Sequence, residues 1–402
     1  MGKFILINSL SGGGAEKVAV NLFKALIFEK FFLLEKEVKY DIPEEKTIFL
    51  SNHGLKTSAI FKTLFIPFYS LKLKNFVNSG NIVLSFLERA NYVNILASMF
   101  TKHKTFISIR MSQISGRSKV HPYNLLSKFL YPKSHLIIAV SRGIKAELVK
   151  FYGIPQEKIG VIYNPIYLEE IQVLKGEELG EYETIFRNSK VLITAGRLTK
   201  QKGQWYLIRI FKELKNDFPE LKLVILGEGE LKDYLVKLSE DSGLRTFVWD
   251  RDKISDSFDV YFLGFQKNPF KFIARSELFV FPSLCEGFPN ALVEAMSCGV
   301  PVIAADCRTG PREILAPYTD FEYQTDKPEF AEYGILMPPF EVKYKNANEP
   351  LEDKEKMWVN VLEKLLQDES LRKSYGEKAL FRAKDFEIEK IVEEWKRILE
   401  RD

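Results

Sequence analysis

Apolar positions along this chain gather into short, nearly continuous runs. Each run is closed by glycine, proline or a polar cluster, and most are followed by a stretch of helical period. KFILINSL, NIVLSF, FISI, HLIIAV and KIGVIY form one series; VLITA, LKLVIL, VYFL, LFVF, VPVIAA and YGILM form a second. Runs that are apolar on both faces mark strands covered on both sides, and strands alternating with amphipathic helices predict parallel, doubly wound sheets. The first series closes at KIGVIYNP, a fresh one opens at VLITAGRL, and the acidic, weakly periodic residues 168–188 between them read as a connection. The pattern thus divides the chain into a Rossmann-like domain at 1–167, a linker at 168–188, a second Rossmann-like domain at 189–380 and a terminal helix at 381–402.

The most informative unit runs from Leu278 to Leu315. LFVF is a strand stopped by Pro282, Pro289 suits the first turn of a helix, ALVEAMSC supplies that helix, Gly299 ends it, and VPVIAA is a buried strand. Glu286 falls in the loop at the carboxyl end of the first strand, where open α/β sheets bind ligands, and Glu294 falls inside the helix. The helix N-terminus beside Glu286 favours anions, so the unit points to an anionic ligand next to a carboxylate. In VLITAGRLTKQKG, Arg197 directly follows a strand and Lys202 precedes the next helix, a natural clamp for a diphosphate.

Elsewhere the signals are local. Gly12, Gly13 and Gly14 follow the first strand and open a helix expected over Ala15–Ile27; they make either a phosphate or sugar cradle or a plain tight turn. They match neither the dinucleotide fingerprint nor the Walker loop. Phe31 to Phe49 reads as two short strands around Pro43, FISIRMS as a strand ending in Arg110, and Ser141 as the cap of RGIKAELVKFY. Leu55 to Phe76 is apolar and aromatic, carries Lys56, Lys62, Lys72 and Lys74, and is broken at Pro67. It suits an anionic membrane surface, or a core-facing helix with snorkelling lysines. Arg245 to Phe258 reads as an inserted loop, and its Asp250-Arg251-Asp252 is either a divalent-metal pair or an exposed acidic turn.

Composition narrows the class. A chain of 402 residues with 46% hydrophobic and 28% charged residues is expected to form two soluble domains. No apolar run approaches the roughly 20 residues needed to cross a bilayer, and the opening FILI is too short for a signal-peptide core, so a cytoplasmic chain is expected. Cys285, Cys298 and Cys307 cluster in one unit without metal spacing and read either as reduced core thiols or with Cys285 as a reactive thiol. The net charge of +4 conceals an asymmetry: residues 1–165 carry 23 basic and 10 acidic side chains, the remainder 35 and 44. The first part either favours an anionic partner such as phosphates or a membrane face, or is a solvated lysine-rich surface; it lacks the motifs that would support nucleic-acid binding.

Taken together, GGGAEK, SFLERAN, AVSRGI, VIYNP, GRLTKQKG, LGEGEL, FLGF, PSLCEGFPNALVEAMSCGVPVIAAD and TGPREIL resemble the family 4 glycosyltransferases, retaining enzymes of the GT-B architecture. The resemblance implies two Rossmann-like domains facing a central cleft, acceptor side first and donor side second, with the terminal helix crossing back to the N-terminal domain. It implies that Arg197 and Lys202 hold the donor diphosphate, that Glu286 contacts the donor sugar, and that Glu294 holds the ribose hydroxyls. Gly287, Phe288, Pro289 and Asn290 would present backbone to sugar and phosphate. Gly227, Leu263 and Gly264 would line the nucleotide and its base, and Gly13 and Gly14 would face the donor phosphate. Glu16 and Arg110 would meet the acceptor; Arg110 stands where many members carry histidine.

The implied reaction moves a hexose or N-acetylhexosamine from a UDP-sugar to a glycan, including a polyprenyl-diphosphate-linked one. It needs no cofactor and no metal, and takes place at the inner face of the cell membrane. Two rival readings are a nucleotide-sugar epimerase on the same scaffold and a non-catalytic partner subunit that binds nucleotide-sugar.

Overall fold

The computed structural model describes residues 2–11, 13–54, 56–112 and 122–400. The chain forms two compact units, residues 1–165 with 388–402, and residues 166–387.

In the first unit the described residues build a seven-stranded sheet from β1 (Lys3–Ile7), β2 (Lys30–Leu33), β3 (Thr47–Phe49), β4 (Ile82–Phe86), β5 (Lys104–Ile109), β6 (Leu136–Ala139) and β7 (Ile159–Val161). All pairings are parallel, in the order β3-β2-β1-β4-β5-β6-β7. The chain therefore winds outward one way through β3 and the other way from β4, and the reversal lies between β1 and β4. Buried residues such as Ile5, Ile7, Leu84 and Phe86 form the core beneath it.

The final helix, Ile388–Leu399, completes this unit. Ile391, Trp395 and Leu399 recur every fourth residue, which puts them on one face, and all three are buried. The Trp395 ring lies 6.1 Å from that of Phe86. Burial of such side chains contributes about 1.5–3 kcal/mol each.

In the second unit the described residues build an eight-stranded sheet from β8 (Val191–Ala195), β9 (Lys222–Leu226), β10 (Thr246–Val248), β11 (Val260–Phe262), β12 (Leu278–Phe281), β13 (Val302–Ala305), β14 (Glu329–Phe330) and β15 (Ile335–Met337). Its order is β10-β11-β9-β8-β12-β13-β15-β14, parallel except for β14 against β15. Here the reversal falls between β8 and β12, so the loops that follow these two strands flank the crevice.

Four local expectations change. The stretch 168–188 is helical at Leu168–Leu174 and Glu183–Phe186 and packs within the second unit, where Gln172 Nε2 donates to Ser297 O at 2.7 Å. Its helices are too short to show a period. Residues 245–258 open with β10, an edge strand of three residues paired to β11, before the loop begins. The first helix spans Gly14–Ala25.

The lysine-rich stretch after residue 55, which itself lies outside the described residues, is two helices, Ala59–Leu64 and Ile66–Lys74, with Pro67 in the second one's first turn. Lys62 points inward: its Nζ lies 2.6 Å from Glu35 Oε2, while Arg89 Nη2 lies 2.5 Å from Glu35 Oε1. The outward side is apolar instead, with Ile60, Phe61, Leu64, Phe68 and Leu71 exposed.

Candidate functional site

The second sheet brings together, at its carboxyl ends, residues that lie far apart in sequence. Backbone hydrogen bonds join the loops there. Gly227 N donates to Gly264 O at 2.8 Å, Gly196 N to Leu226 O at 2.9 Å, Leu198 N to Glu228 O at 2.9 Å, and Leu284 N to Gln201 O at 2.8 Å. Two glycines are required by this crowding. Gly203 has φ +62 and a Cβ there would fall 2.7 Å from Pro282 O; at Gly227 a Cβ would fall 2.1 Å from Gly196 O. The loops after β8, β9, β11 and β12 thus form one wall.

Glu286 stands in that wall with only 6% of its surface exposed. Its Oε1 lies 2.6 Å from Lys202 Nζ, and the ammonium sits 5.1 Å from the Phe281 ring centroid. Gln201 Nε2 donates to Cys285 O at 2.7 Å and reaches Glu286 Oε2 at 3.4 Å. From the other side Thr309 Oγ1 donates to the Glu286 carbonyl. A Cβ on Gly310, φ +96, would fall 2.5 Å from Pro289 Cδ, so the loop after β13 braces the loop after β12. Arg197 projects from the wall as an exposed cation, its carbonyl held by Gln204 Nε2 at 3.0 Å.

The helix Asn290–Ser297 has Pro289 as its cap, not in its first turn as expected, and carries Glu294 half-buried. Pro289 has no N–H, so the donors in this turn belong to Gly287, Phe288 and Asn290. Leu263 and Gly264 end the β11 side of the wall, where a Cβ on Gly264, φ +66, would strike the Trp249 indole at 2.8 Å. The sequence signals passed over Gln201, Thr309 and Trp249. The first two lie inside GRLTKQKG and TGPREIL, and Trp249 lies within the supposed insertion, just after β10.

The arrangement offers two cations, a fixed carboxylate and a helix N-terminus around one crevice. That set can neutralise a diphosphate and orient a polyhydroxyl group.

In the first unit, Gly13 and Gly14 open the helix after β1 and Arg110 follows β5, all at carboxyl ends; Gly12 lies outside the described residues. Glu16 closes the glycine turn, its carboxylate accepting from Gly13 N at 2.5 Å and Ser11 Oγ at 3.0 Å. Arg110 donates to Asn164 Oδ1 and, at 3.4 Å, to Ser108 Oγ, and lies 5.8 Å from the Phe86 ring. Burial lowers its pKa to about 9, which still leaves a cation at neutral pH. Leu87, with φ +71, holds a strained backbone at the end of β4.

The aspartates of the D-x-D pair have local partners. Asp250 pairs with Lys232, and Asp252 accepts from Val248 N at 2.9 Å. Among the described residues no group of three or more His, Cys, Asp or Glu is arranged to hold a metal ion. Cys298 and Cys307 are buried, and burial pushes the Cys298 thiol up to about 12.

Comparison with known proteins identifies the family. Residues 177–332 match the model of glycosyl transferases group 1, and residues 82–170 match that of glycosyltransferase family 4. An uncharacterized glycosyltransferase of Methanocaldococcus jannaschii is 42% identical over 69% of this chain and 66% of its own length. A Campylobacter jejuni enzyme is 34% identical over 96% of both chains; it is named as the N-acetylgalactosamine-N,N'-diacetylbacillosaminyl-diphospho-undecaprenol 4-alpha-N-acetylgalactosaminyltransferase. Among solved structures, Anabaena HepE in complex with UDP superposes with a TM-score of 0.72 at 18% identity, covering 99% of each chain. Sucrose-phosphate synthase of Thermosynechococcus elongatus gives 0.73 at 15% identity, covering 99% of this chain and 98% of that one. With two parallel-sheet units of this topology, the chain belongs to glycosyltransferase family 4 and has the GT-B fold.

Proposed function

We propose that this glycosyltransferase moves a hexose or N-acetylhexosamine from a UDP-sugar to a glycan linked to a polyprenyl diphosphate, with retention at the anomeric carbon. The observation that carries the reading is the meeting of Lys202 and Glu286, with Arg197 on the same wall, at the reversal between β8 and β12. The solved relative with UDP bound supports that nucleotide, and the Campylobacter relative's name supports a lipid-linked acceptor.

The chemistry follows from charge. The anomeric C–O bond breaks with its electron pair passing to the β-phosphate oxygen, while the acceptor hydroxyl oxygen bonds to the same carbon from the same face. The hydroxyl proton passes to the departing phosphate oxygen, giving UDP and the glycoside. Arg197, Lys202 and the N-terminus of Asn290–Ser297 place positive field where the phosphate gains charge, which is where stabilisation lowers a barrier. Glu286, pinned by Gln201 and Thr309, orients the sugar hydroxyls, Glu294 takes the ribose, and Leu263 and Gly264 take the base. Gly13 and Gly14 face the donor phosphate, and Glu16 and Arg110 meet the acceptor. No step calls for a metal or cofactor.

Work at an anionic membrane face is part of the reading. Ile60, Leu64, Phe68 and Leu71 recur at helical spacing across two short helices and are exposed, Ile60 by 76% and Leu64 by 72%. Lys72 stands beside them, 5.1 Å from the Phe68 ring. No helix of the described residues is long and apolar enough to cross a membrane. An interfacial contact would use this face.

The test is a panel of UDP-sugars offered with polyprenyl-diphosphate glycans, read as UDP release and product mass. One donor should support turnover dependent on acceptor. Sugar interconversion without acceptor would replace the reading with an epimerase, and donor binding without turnover on any acceptor would replace it with a partner subunit.

A further inference from the structure

The site described above occupies the carboxyl ends of the second sheet; its amino ends carry a separate feature. Where β8, β9 and β11 begin, a pocket of about 270 Å³ is lined by Arg187, Lys215, Lys222 and Arg245 against Glu220, Asp256 and Asp259.

Two of these cations are committed. Arg245 Nε and Nη2 donate to the two oxygens of Asp259 at 3.0 and 2.8 Å, and Lys215 Nζ lies 2.9 Å from Asp259 Oδ1. Lys215 also donates to Leu221 O at 3.2 Å. Burial alone would raise the Asp259 carboxyl, but these partners hold it down to about 2, so Asp259 is a fully neutralised anion at neutral pH.

Lys222 differs. It is the first residue of β9, only 6% exposed, and its backbone is locked by N–H donation to Lys190 O at 2.9 Å. Its ammonium lies 5.6 Å from the Tyr261 ring centroid, and among the described residues it has no hydrogen-bond or ion-pair partner. Burial is the chief influence on its pKa and pulls it down, opposed in part by the neighbouring Asp256 carboxylate. Arg187 is exposed at the mouth of the same pocket, likewise without a side-chain partner among the described residues. Next to it Asn188 adopts φ +57, a left-handed backbone uncommon for a residue with a side chain.

We propose that this pocket is a binding site for a phosphate-class oxyanion, inorganic phosphate or a small phosphomonoester, held by the Lys222 ammonium with Arg187 closing over it. An ammonium is a compact charge suited to one phosphate oxygen, and a guanidinium fork spans two. With Asp259 neutralised, the lining has a small cationic surplus that suits one phosphate group rather than a polyanion. The site is independent of the donor crevice, which lies at the opposite ends of the same strands.

The test titrates inorganic phosphate, and separately glucose 6-phosphate, into the full chain by calorimetry, with chloride at matched ionic strength as control. Saturable binding at about millimolar or tighter is expected, weakened roughly tenfold or more in Lys222→Met, retained in Lys222→Arg, and unchanged in Arg197→Ala. Tighter binding of glucose 6-phosphate identifies a phosphomonoester site; equal or weaker binding identifies phosphate itself. If Lys222→Met does not fold, Arg187→Gln, at an exposed position, must weaken binding instead. Absence of saturable binding, or binding kept by Lys222→Met and lost in Arg197→Ala, overturns the proposal.

Discussion

Lys202 Nζ lies 2.6 Å from Glu286 Oε1 and joins two loops on either side of the strand reversal in the second sheet. The side chains are 16% and 7% exposed, so each is the other's main compensation for lost hydration. Removing one strands a mostly buried charge. Lys202→Met or Glu286→Gln alone should therefore cost roughly 2–4 kcal/mol. The double variant should lose clearly less than the two single losses added together. Urea unfolding of the four forms measures this; strict additivity would mean the pair is not coupled.

Arg197 presents the opposite case, an exposed cation on the same wall. Arg197→Ala should leave stability within about 0.5 kcal/mol of wild type. Turnover should nevertheless fall roughly 10²- to 10³-fold, the loss seen when a donor to developing negative charge is removed. UDP release and thermal melting, measured on the same preparation, separate the two effects. Near-normal rates would remove Arg197 from the diphosphate clamp.

His103 makes acid stability of the first unit predictable. It is fully buried, its Nε2 2.8 Å from Asn94 Oδ1 and its Nδ1 2.6 Å from Thr101 Oγ1. Burial, reinforced by His135, lowers its pKa to about 4. The unfolded chain binds this proton near pH 6.5 and the folded one only near 4. The contribution is complete above about pH 6.5 and is lost as pH falls toward 4, amounting to about 2 kcal/mol by pH 5. His103→Gln should flatten that part of the stability profile, whatever its effect at pH 8. An unchanged slope between pH 7 and 5 would show that His103 is protonated in the folded protein.

Leu64→Glu combined with Leu71→Glu places charge on the exposed apolar face and should reduce co-sedimentation with vesicles rich in anionic lipid. Activity on a short, lipid-free acceptor should be unchanged. Lys62→Glu is a different experiment, because it sets a second carboxylate against buried Glu35 and should destabilise the first unit. Undiminished vesicle binding by the double leucine variant would place the membrane contact elsewhere.

Much of the architecture was legible because its signals are local. A buried parallel strand must be apolar on both faces, a helix must carry a 3.6-residue stripe, and a glycine or proline must stand where the backbone turns; all three are written in consecutive residues. The same holds for Arg197, Lys202, Glu286 and Glu294, each placed by its position just after a strand or within the following helix. Short elements escaped for the converse reason. β10 and the helices within 168–188 are too brief to establish a period, and their burial comes from neighbours distant in sequence.

Pairing and orientation were decided by the tertiary structure alone. No local rule says that Lys62 turns inward, since a lysine on an amphipathic helix is as compatible with water as with Glu35; only the neighbouring strand and Arg89 settle it. Nor does spacing reveal that Gln201 and Thr309 brace Glu286, that Trp249 backs Gly264, or that Lys222 is buried without an acceptor. Sequence patterns report the free energy of placing a residue in water or in a core, which depends on that residue and its near neighbours. Side-chain pairing depends on which strands lie side by side, and that order is a property of the whole sheet.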